Sequence, residues 1–412
     1  MANSSRGWVV TLAGTGINLA LGVLYAWSVF AKALTEQWNW SKTQSSLPYT
    51  LAILVFALMM IPAGRWQDKA GPRIVATVGG ILTGSGLILA SFFDSVMGIT
   101  ISFGLLAGAG IGLGYAAATP AAVKWFPPEK KGLITGIVVS GFGLASVYIA
   151  PLTNYLLKVY GINDSFRILG IAFLLVATLL AQLLTNPPAD YKAPVASPAG
   201  KPQNTAPAVN DYSWQEMLKT RQFYLLWLMF ACGSLAGLMI IGHLSKIAKV
   251  QLNIQWGFAL VALLAIFNAG GRIIAGILSD IIGRTRTMLL VFVLQAIVMS
   301  LFAKLNTLSL LAAGAALVGF NYGACLSLFP SATADYFGTR NLGLNYGIVF
   351  TAWGVGGMVG PLLAGWVADT TGTYTYAYYI AALLCVLAAG LSLVTRAPRS
   401  VALLGQEEKH VA

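Results

Sequence analysis

Two stretches of this sequence, GRWQDKAGPR at residues 64–73 and GILSDIIGRTR at residues 276–286, resemble each other. The shared positions are Gly64, Asp68, Gly71 and Arg73 in the first stretch, and Gly276, Asp280, Gly283 and Arg286 in the second. Glycines permit a tight turn. An Asp can cap the start of a helix and pair with a nearby Arg. We therefore expect each stretch to connect two helices.

Further matches spread outward from these stretches at a nearly constant shift. They are Pro120, Trp125, Phe126, Gly132, Gly136 and Pro151 in the first half, and Pro330, Tyr336, Phe337, Gly343, Gly347 and Pro361 in the second. So many coincidences at one shift indicate an internal duplication. Parallel repeats of this kind enclose a substrate cavity near the bilayer midplane.

The composition is that of an integral membrane protein. Of 412 residues, 57% are hydrophobic and only 9% are charged, whereas soluble domains carry about 25% charged residues. A spanning helix needs about 20 mostly apolar residues. Twelve runs qualify and are numbered here as spans 1 to 12: 8–31, 46–64, 74–93, 97–123, 133–157, 166–186, 222–245, 257–278, 287–304, 308–333, 342–367 and 377–395.

The basic residues predict the orientation. With the N-terminus in the cytoplasm, 17 of the 25 Lys and Arg residues lie on the cytoplasmic side and 7 on the outer side. This bias predicts that both termini are cytoplasmic. It also explains the net charge of +12 without a nucleic-acid partner. We expect a multi-pass protein of the plasma membrane, which is the inner membrane in a Gram-negative cell.

One long connection divides the spans six and six. Residues 187–221 are rich in Pro, Ala and polar residues, which is typical of a mobile linker. The predicted domains are an N-terminal six-helix bundle at 1–186, this cytoplasmic linker, and a C-terminal bundle with a short tail at 222–412. The end of the linker, residues 213–221, has a helical pattern.

The two repeated stretches resemble the loop signature of the major facilitator superfamily. WFPPEKKGLITGIVVSG at residues 125–141 is similar to the monocarboxylate transporters and the bacterial oxalate–formate antiporters. The resemblance implies an all-α fold of twelve transmembrane helices in two pseudo-symmetric six-helix bundles. It also implies alternating access, with Asp68, Arg73, Asp280 and Arg284 in loops that close the inner gate.

Arg272 is the one basic residue deep within a span. It lies about 12 Å from the cytoplasmic boundary, counted as eight residues before Asp280. All 13 acidic residues fall in connections or at span ends. A charge at this depth needs a partner, so a substrate anion is one candidate. The alternative is a hydrogen bond to carbonyls of a broken helix, or an ion pair with Asp280 or Asp335.

Two nearby positions depart from the patterns of the families that the chain resembles. Residue 268, one helical turn before Arg272, is Asn where monocarboxylate transporters often have an Asp that takes part in proton coupling. Asn268 either helps to orient the substrate or forms an ordinary interhelical bond. Residue 353 is Trp where the resemblance to oxalate–formate antiporters implies a Lys. One deep cation rather than two favours a monoanion over oxalate.

Three further side chains are candidates for the transport site. Tyr115 and Tyr322 lie deep in spans, where a hydroxyl needs a partner. They bind either the substrate or a neighbouring helix. His243, near the outer end of span 7, titrates in the range that suits proton uptake, or it is an interfacial side chain without such a role.

These observations together predict a secondary transporter of a small monocarboxylate such as lactate or pyruvate, coupled to a proton and acting as a monomer in the lipid bilayer. Its alternative is an antiporter of the oxalate–formate type. No catalytic set, metal-ligand cluster or phosphate loop lies at one depth, so neither an enzyme, a cofactor nor a bound metal is expected.

Overall fold

The structure is a computed structural model that describes residues 2–188, 191, 211–253 and 258–398. All regular secondary structure in these residues is helical. Most of the predicted linker at 187–221 and the end of the tail lie outside the described residues. The domain boundaries at 186 and 222 therefore stay predictions.

The first half of the chain forms spans 1 to 6. Their helices are Ala2–Leu21, Gly22–Ala26 (3-10), Trp27–Gln37, Lys42–Ala70, Pro72–Ala90, Val96–Ile99, Thr100–Ala107 (π), Gly108–Val123, Pro128–Lys130 (3-10) and Lys131–Ala181. Span 1 extends six residues beyond its predicted end at residue 31, because the helix continues through a short 3-10 segment to Gln37.

The second half forms spans 7 to 12. Its helices are Trp214–Leu218, Arg221–Leu252, Phe258–Ile282, Arg284–Leu301, Phe302–Lys304 (3-10), Leu308–Phe337, Leu342–Thr371 and Thr375–Val394.

The described residues contain eleven helical segments that are long and apolar enough to cross a membrane. One of them covers two predicted spans. Inside Lys131–Ala181, Gly161 adopts φ +79 and ψ −176, which breaks the helix between spans 5 and 6. A positive φ costs a glycine little. The prediction of twelve spans is confirmed.

The repeated stretches are mainly helical. Helix Lys42–Ala70 runs through Asp68, and helix Phe258–Ile282 runs through Asp280. The chain reverses at a single residue in each half, Gly71 with φ +87 and Gly283 with φ +96. The repeat in the sequence therefore predicts these two equivalent turns. We call the end of the molecule that carries them the turn end.

The two halves touch through glycine backbones near the turn end. Span 2 packs against span 11, and span 5 packs against span 8. A Cβ added at Gly64 would overlap the carbonyl of Gly343, and one added at Gly132 would overlap that of Gly276. These four glycines are repeat partners. The duplication thus provides two close backbone crossings at the same end.

Residues 211–218 are packed against the second half, whereas composition predicted a mobile linker. The Tyr212 amide donates to the Phe337 carbonyl at 3.0 Å. The Tyr212 carbonyl accepts hydrogen bonds from the side chains of Asn341 and Asn345, each at 3.0 Å. Met217 is fully buried. The end of the connection is therefore anchored at the start of span 11.

The close backbone crossing at Gly64 can be tested by substitution. Gly64→Ala should hold the two halves apart at the turn end, because the new Cβ has no space. Gly390→Ala is the matched control, since nothing lies within 4 Å of a Cβ at that helical position and both changes favour helix similarly. Spin labels on Arg73→Cys and Arg286→Cys, both exposed positions, in a background without the native cysteines would report the separation.

We expect Gly64→Ala to lengthen the distance between the labels by several ångströms and Gly390→Ala to leave it unchanged. An unchanged distance in a folded Gly64→Ala protein would contradict the close crossing.

Candidate substrate site between the two halves

Arg272 is the largest side chain that is fully buried in the described protein. Its Nε donates to Asn268 Oδ1 at 3.1 Å. Its Nη1 donates to the carbonyl of Val139 in span 5. Its Nη2 has no hydrogen-bond partner among the described residues. One nitrogen thus binds a backbone carbonyl, although of a continuous part of helix Lys131–Ala181 rather than of a broken helix, and another nitrogen is left without an acceptor.

The acidic side chains considered as partners for Arg272 are engaged elsewhere. Asp280 accepts hydrogen bonds from the amides of Gly132 and Leu133 at 2.9 and 2.8 Å. Asp335 pairs with Arg284 Nε at 2.7 Å. Neither forms an ion pair with Arg272 in the part of the chain that the structure describes. The buried cation therefore sits without a neutralising protein carboxylate there.

A cavity between the halves adjoins this guanidinium. It is small, with a cavity volume of about 10 Å³. That is room for about one water molecule. The lining comprises Phe56, Tyr115, Phe142, Arg272, Tyr322, Leu326, Phe350 and Trp353. Four side chains proposed from the sequence thus line one cavity, and the fifth, Asn268, orients Arg272.

Aromatic rings form most of the wall. Phe350 stacks on Trp353 with ring centroids 4.9 Å apart, and Phe56 contacts Tyr115 at 5.4 Å. The indole Nε1 of Trp353 donates to the Tyr322 hydroxyl at 2.8 Å. The cavity is therefore apolar on most sides, with a few hydroxyls and one cation. The phenylalanines of this wall cannot be predicted from the sequence, because an apolar residue in an apolar span gives no signal.

At the turn end, two carboxylates bind the amino ends of helices from the opposite half. Asp280 binds the first amides of span 5, as described above. Asp68 accepts from the amides of Gly343 and Leu344, at the start of span 11, at 3.1 and 2.9 Å. A carboxylate at a helix N-terminus satisfies amides that lack an intrahelical acceptor. The predicted capping role thus takes place between the halves.

The cations around these two carboxylates differ. Arg284 binds Asp280 at 2.6 Å and also Asp335, which Lys131 binds at 3.1 Å. Asp68 pairs with a single cation among the described residues, Lys124, at 3.9 Å. Burial lowers the pKa of Lys124, and the charges of Asp68 and Asp211 raise it again in part.

Arg73 does not lie where the sequence predicts it. It was predicted in the gating loops beside Asp68, but its side chain is exposed. The reason is local, because Pro72 occupies the position in the first repeat that Arg284 occupies in the second. Proline has no cationic side chain, and the next residue lies on another face of the helix. Lys124 is the cation near Asp68 instead.

His243 lies in a different environment from the cavity. Its Nε2 is 3.0 Å from the Pro361 carbonyl, and its Nδ1 is 3.3 Å from the Tyr374 hydroxyl. A carbonyl only accepts, so we assign the proton to Nε2 and let Nδ1 accept from the tyrosine. All three residues belong to the second half. Both nitrogens of the neutral ring therefore have hydrogen-bond partners within that half. This geometry agrees with the alternative in which His243 has no role in proton uptake.

Comparison with known proteins identifies relatives along the whole chain. The family model of the Major Facilitator Superfamily matches residues 9–303 and 250–412. An uncharacterized MFS-type transporter from Escherichia coli, YhjX, is 33% identical over 86% of this chain and 87% of its own. The oxalate:formate antiporter of Oxalobacter formigenes is 30% identical, over 99% and 96%. Monocarboxylate transporter 14 of Mus musculus is 26% identical, over 92% and 87%.

A solved structure shares the fold. The fucose:proton symporter FucP of Escherichia coli superimposes with a TM-score of 0.71 at 13% identity, covering 94% of this chain and 98% of that one. At this identity the likeness concerns the fold alone. It confirms the predicted arrangement of transmembrane helices.

Proposed function

The chain belongs to the major facilitator superfamily, and from that premise we propose that it carries a small monocarboxylate, lactate- or pyruvate-like, together with a proton. It is a multi-pass membrane transporter related to monocarboxylate transporters and the oxalate:formate antiporter. The proposal places it in the plasma membrane as a monomer with both termini in the cytoplasm.

One observation carries the proposal for the substrate. The fully buried Arg272 keeps one nitrogen without an acceptor and adjoins a mostly apolar cavity. Burying a charge in low dielectric is costly unless it is paired. A monocarboxylate would supply one negative charge to this one cation, and its short carbon chain would contact the aromatic wall. The loaded site would then be neutral.

The proposed mechanism is alternating access. Asp68 and Asp280 each bind the first amides of a helix in the opposite half. Both sets of hydrogen bonds must break before the turn end can open. The small cavity volume accords with a closed site that widens as the halves rock. Arg272 binds the anion, while Tyr115, Tyr322 and Trp353 shape its surroundings.

The experiment that tests this function is uptake into proteoliposomes of a panel of labelled carboxylates, with and without an imposed pH gradient. Net uptake of lactate or pyruvate into vesicles that contain no internal substrate would support the proposal. Uptake of none of the panel's monocarboxylates by a folded protein would contradict it.

Arg272→Lys should reduce transport at least about 100-fold while the protein stays folded. Lysine keeps the charge, but one ammonium cannot reproduce the separate bonds to Asn268, to Val139 and to an anion. Arg286→Lys, at an exposed position outside the cavity, is the control. Initial uptake rates compare the two variants. Normal transport by the Arg272→Lys protein would exclude this role of the guanidinium.

The alternative, an exchanger of the oxalate–formate type, is favoured by the 30% identity to such an antiporter over almost the whole chain. The single deep cation argues against a dianion. Net uptake into vesicles that contain no internal substrate separates the two proposals, since an exchanger needs substrate on both sides of the membrane.

Trp353→Lys should add a second cation to the cavity and improve inhibition by oxalate relative to lactate about tenfold. Trp353→Phe is the control, because it also removes the bond to Tyr322 but adds no charge. The ratio of the two inhibition constants is the measurement. If the two variants give the same ratio, cavity charge does not set the preference for monoanions.

An inward proton gradient should drive accumulation of the monocarboxylate. Guanidinium groups stay charged in proteins, and residue 268 is Asn, so the proton would travel on the substrate, on His243 or on a carboxylate such as Asp280. Uptake at fixed internal pH, with external pH varied, compares the wild type with His243→Ala. A weaker pH dependence in the variant would support His243 as the carrier.

If the pH dependence is the same in both proteins, the proton travels elsewhere and His243 only joins spans 7, 11 and 12. A wild-type rate that ignores the gradient would contradict proton coupling itself.

A further inference from the structure

One side of span 2 is exposed and combines leucines with two cations. Leu54 and Leu58 are 46% and 55% exposed, and Arg65 and Lys69 are exposed as well. Intervals of four, seven and four residues place these four side chains on one side of an α-helix, which we call the span 2 face. The opposite side of the same helix carries buried residues, namely Phe56, Met60, Ala63 and Gln67. The span 2 face therefore points away from the rest of the protein.

The apolar part of the span 2 face has the length of one lipid leaflet. Leu54 lies near the middle of helix Lys42–Ala70, and the helix rises about 16 Å from there to Arg65. The hydrocarbon core of one leaflet is about 15 Å thick. Arg65 and Lys69 therefore lie at the level of the lipid headgroups at the turn end. Trp66, 38% exposed beside them, is a residue type that membrane interfaces favour.

The two cations of the span 2 face have no carboxylate partner. Neither Arg65 nor Lys69 forms an ion pair within the described part of the chain. Asp68, which lies between them in the sequence, binds the first amides of span 11 and pairs with Lys124. Residues four apart on a helix have Cβ atoms about 5–6 Å apart. Arg65 and Lys69 are therefore close enough to bind one phosphate group together.

The second half shows that a span of this fold does not need these cations at its end. At the 212-residue shift of the repeat, the counterparts of Arg65 and Lys69 are Ile277 and Ile281. Both isoleucines are exposed, at 39% and 74%, on helix Phe258–Ile282. A requirement of the membrane boundary alone would apply to both halves. The two cations of the first half therefore indicate a partner that the second half does not bind.

We propose that the span 2 face binds one anionic phospholipid from the leaflet at the turn end. The lipid phosphate accepts hydrogen bonds from Arg65 and Lys69, and the acyl chains lie along Leu54 and Leu58. A lipid fits this face better than a free phosphate ion does, because the leucines continue directly from the cations. Two cations also favour a headgroup with net negative charge over phosphatidylcholine, whose choline cancels the phosphate charge. This lipid site is separate from the cavity and does not depend on the substrate.

The test compares matched charge removals in the full-length protein. The test variant is Arg65→Gln with Lys69→Gln. The control is Lys130→Gln with Arg340→Gln, which removes the same two charges from exposed positions elsewhere at the turn end. Native mass spectrometry of protein in detergent, titrated with phosphatidylglycerol or phosphatidylcholine, counts the bound lipids and gives their dissociation constants. Melting temperatures without added lipid report whether each variant is folded.

We expect the wild type to bind one phosphatidylglycerol about 10- to 30-fold more tightly than phosphatidylcholine, as for two cations at a lipid surface. The test variant should lose this preference, and the control should keep it. Inorganic phosphate at millimolar concentration should not displace the lipid, because it makes no contact with the leucines. Displacement would show that the cations bind a free anion and would overturn the assignment to a lipid.

The repeat allows the reverse substitution, which leaves span 2 intact and decides the question if the test variant does not fold. Ile277→Arg with Ile281→Lys reproduces the two cations in the second half, so this variant should bind a second phosphatidylglycerol. A folded variant that still binds only one would contradict the proposal. Equal affinity of the wild type for the two lipids, or an equal loss in the test and control variants, would contradict it as well.

Discussion

A guanidinium buried between two halves of a membrane protein is the constraint on which this structure depends. Arg272 is fully buried, and the two carboxylates considered as its partners, Asp280 and Asp335, are committed to other partners at the turn end. Its charge must be compensated by dipoles and hydrogen bonds, or by an anion from outside. The carbonyl of Val139 and the amide of Asn268 provide part of that compensation. The remaining nitrogen is what gives the cavity its chemistry.

The duplication provides the framework that holds this charge in place. Each half carries one helix-ending carboxylate, and each carboxylate binds the first amides of a helix in the other half. The same two helices, spans 5 and 11, continue into the cavity, where they carry Val139 and Trp353. Opening the turn end therefore moves the helices that line the site. A local contact between Asp68 and Gly343 is in this way linked to the geometry of the cavity.

Sequence alone predicted the spans, the repeat, the two turns and most of the polar cavity residues. These features follow from strong signals, because charges and hydroxyls are rare and conspicuous inside apolar runs. Phe56, Phe142 and Phe350 were not predicted, since one aromatic residue among many in a span has no distinguishing pattern. The hydrogen bond from Arg272 to the Val139 carbonyl could not be predicted either, because a backbone acceptor carries no sequence signature. The position of Arg73 was predicted incorrectly because Arg73 matches Arg286 at a shift of 213. At the shift of 212 that the other shared residues of the two stretches have, the counterpart of Arg284 is Pro72.

Under the proposed alternating access, the bond between Arg272 and Val139 would connect anion binding to movement of the halves. Arg272 belongs to span 8 and Val139 to span 5, so this hydrogen bond crosses the interface beside the cavity. Rocking of the halves must stretch or break it, and an empty site would then leave a second nitrogen of a buried cation without an acceptor. An anion in the cavity could accept from that nitrogen as the carbonyl withdraws. The empty carrier would then meet a larger electrostatic cost on opening than the loaded one, so a bound anion would favour the movement.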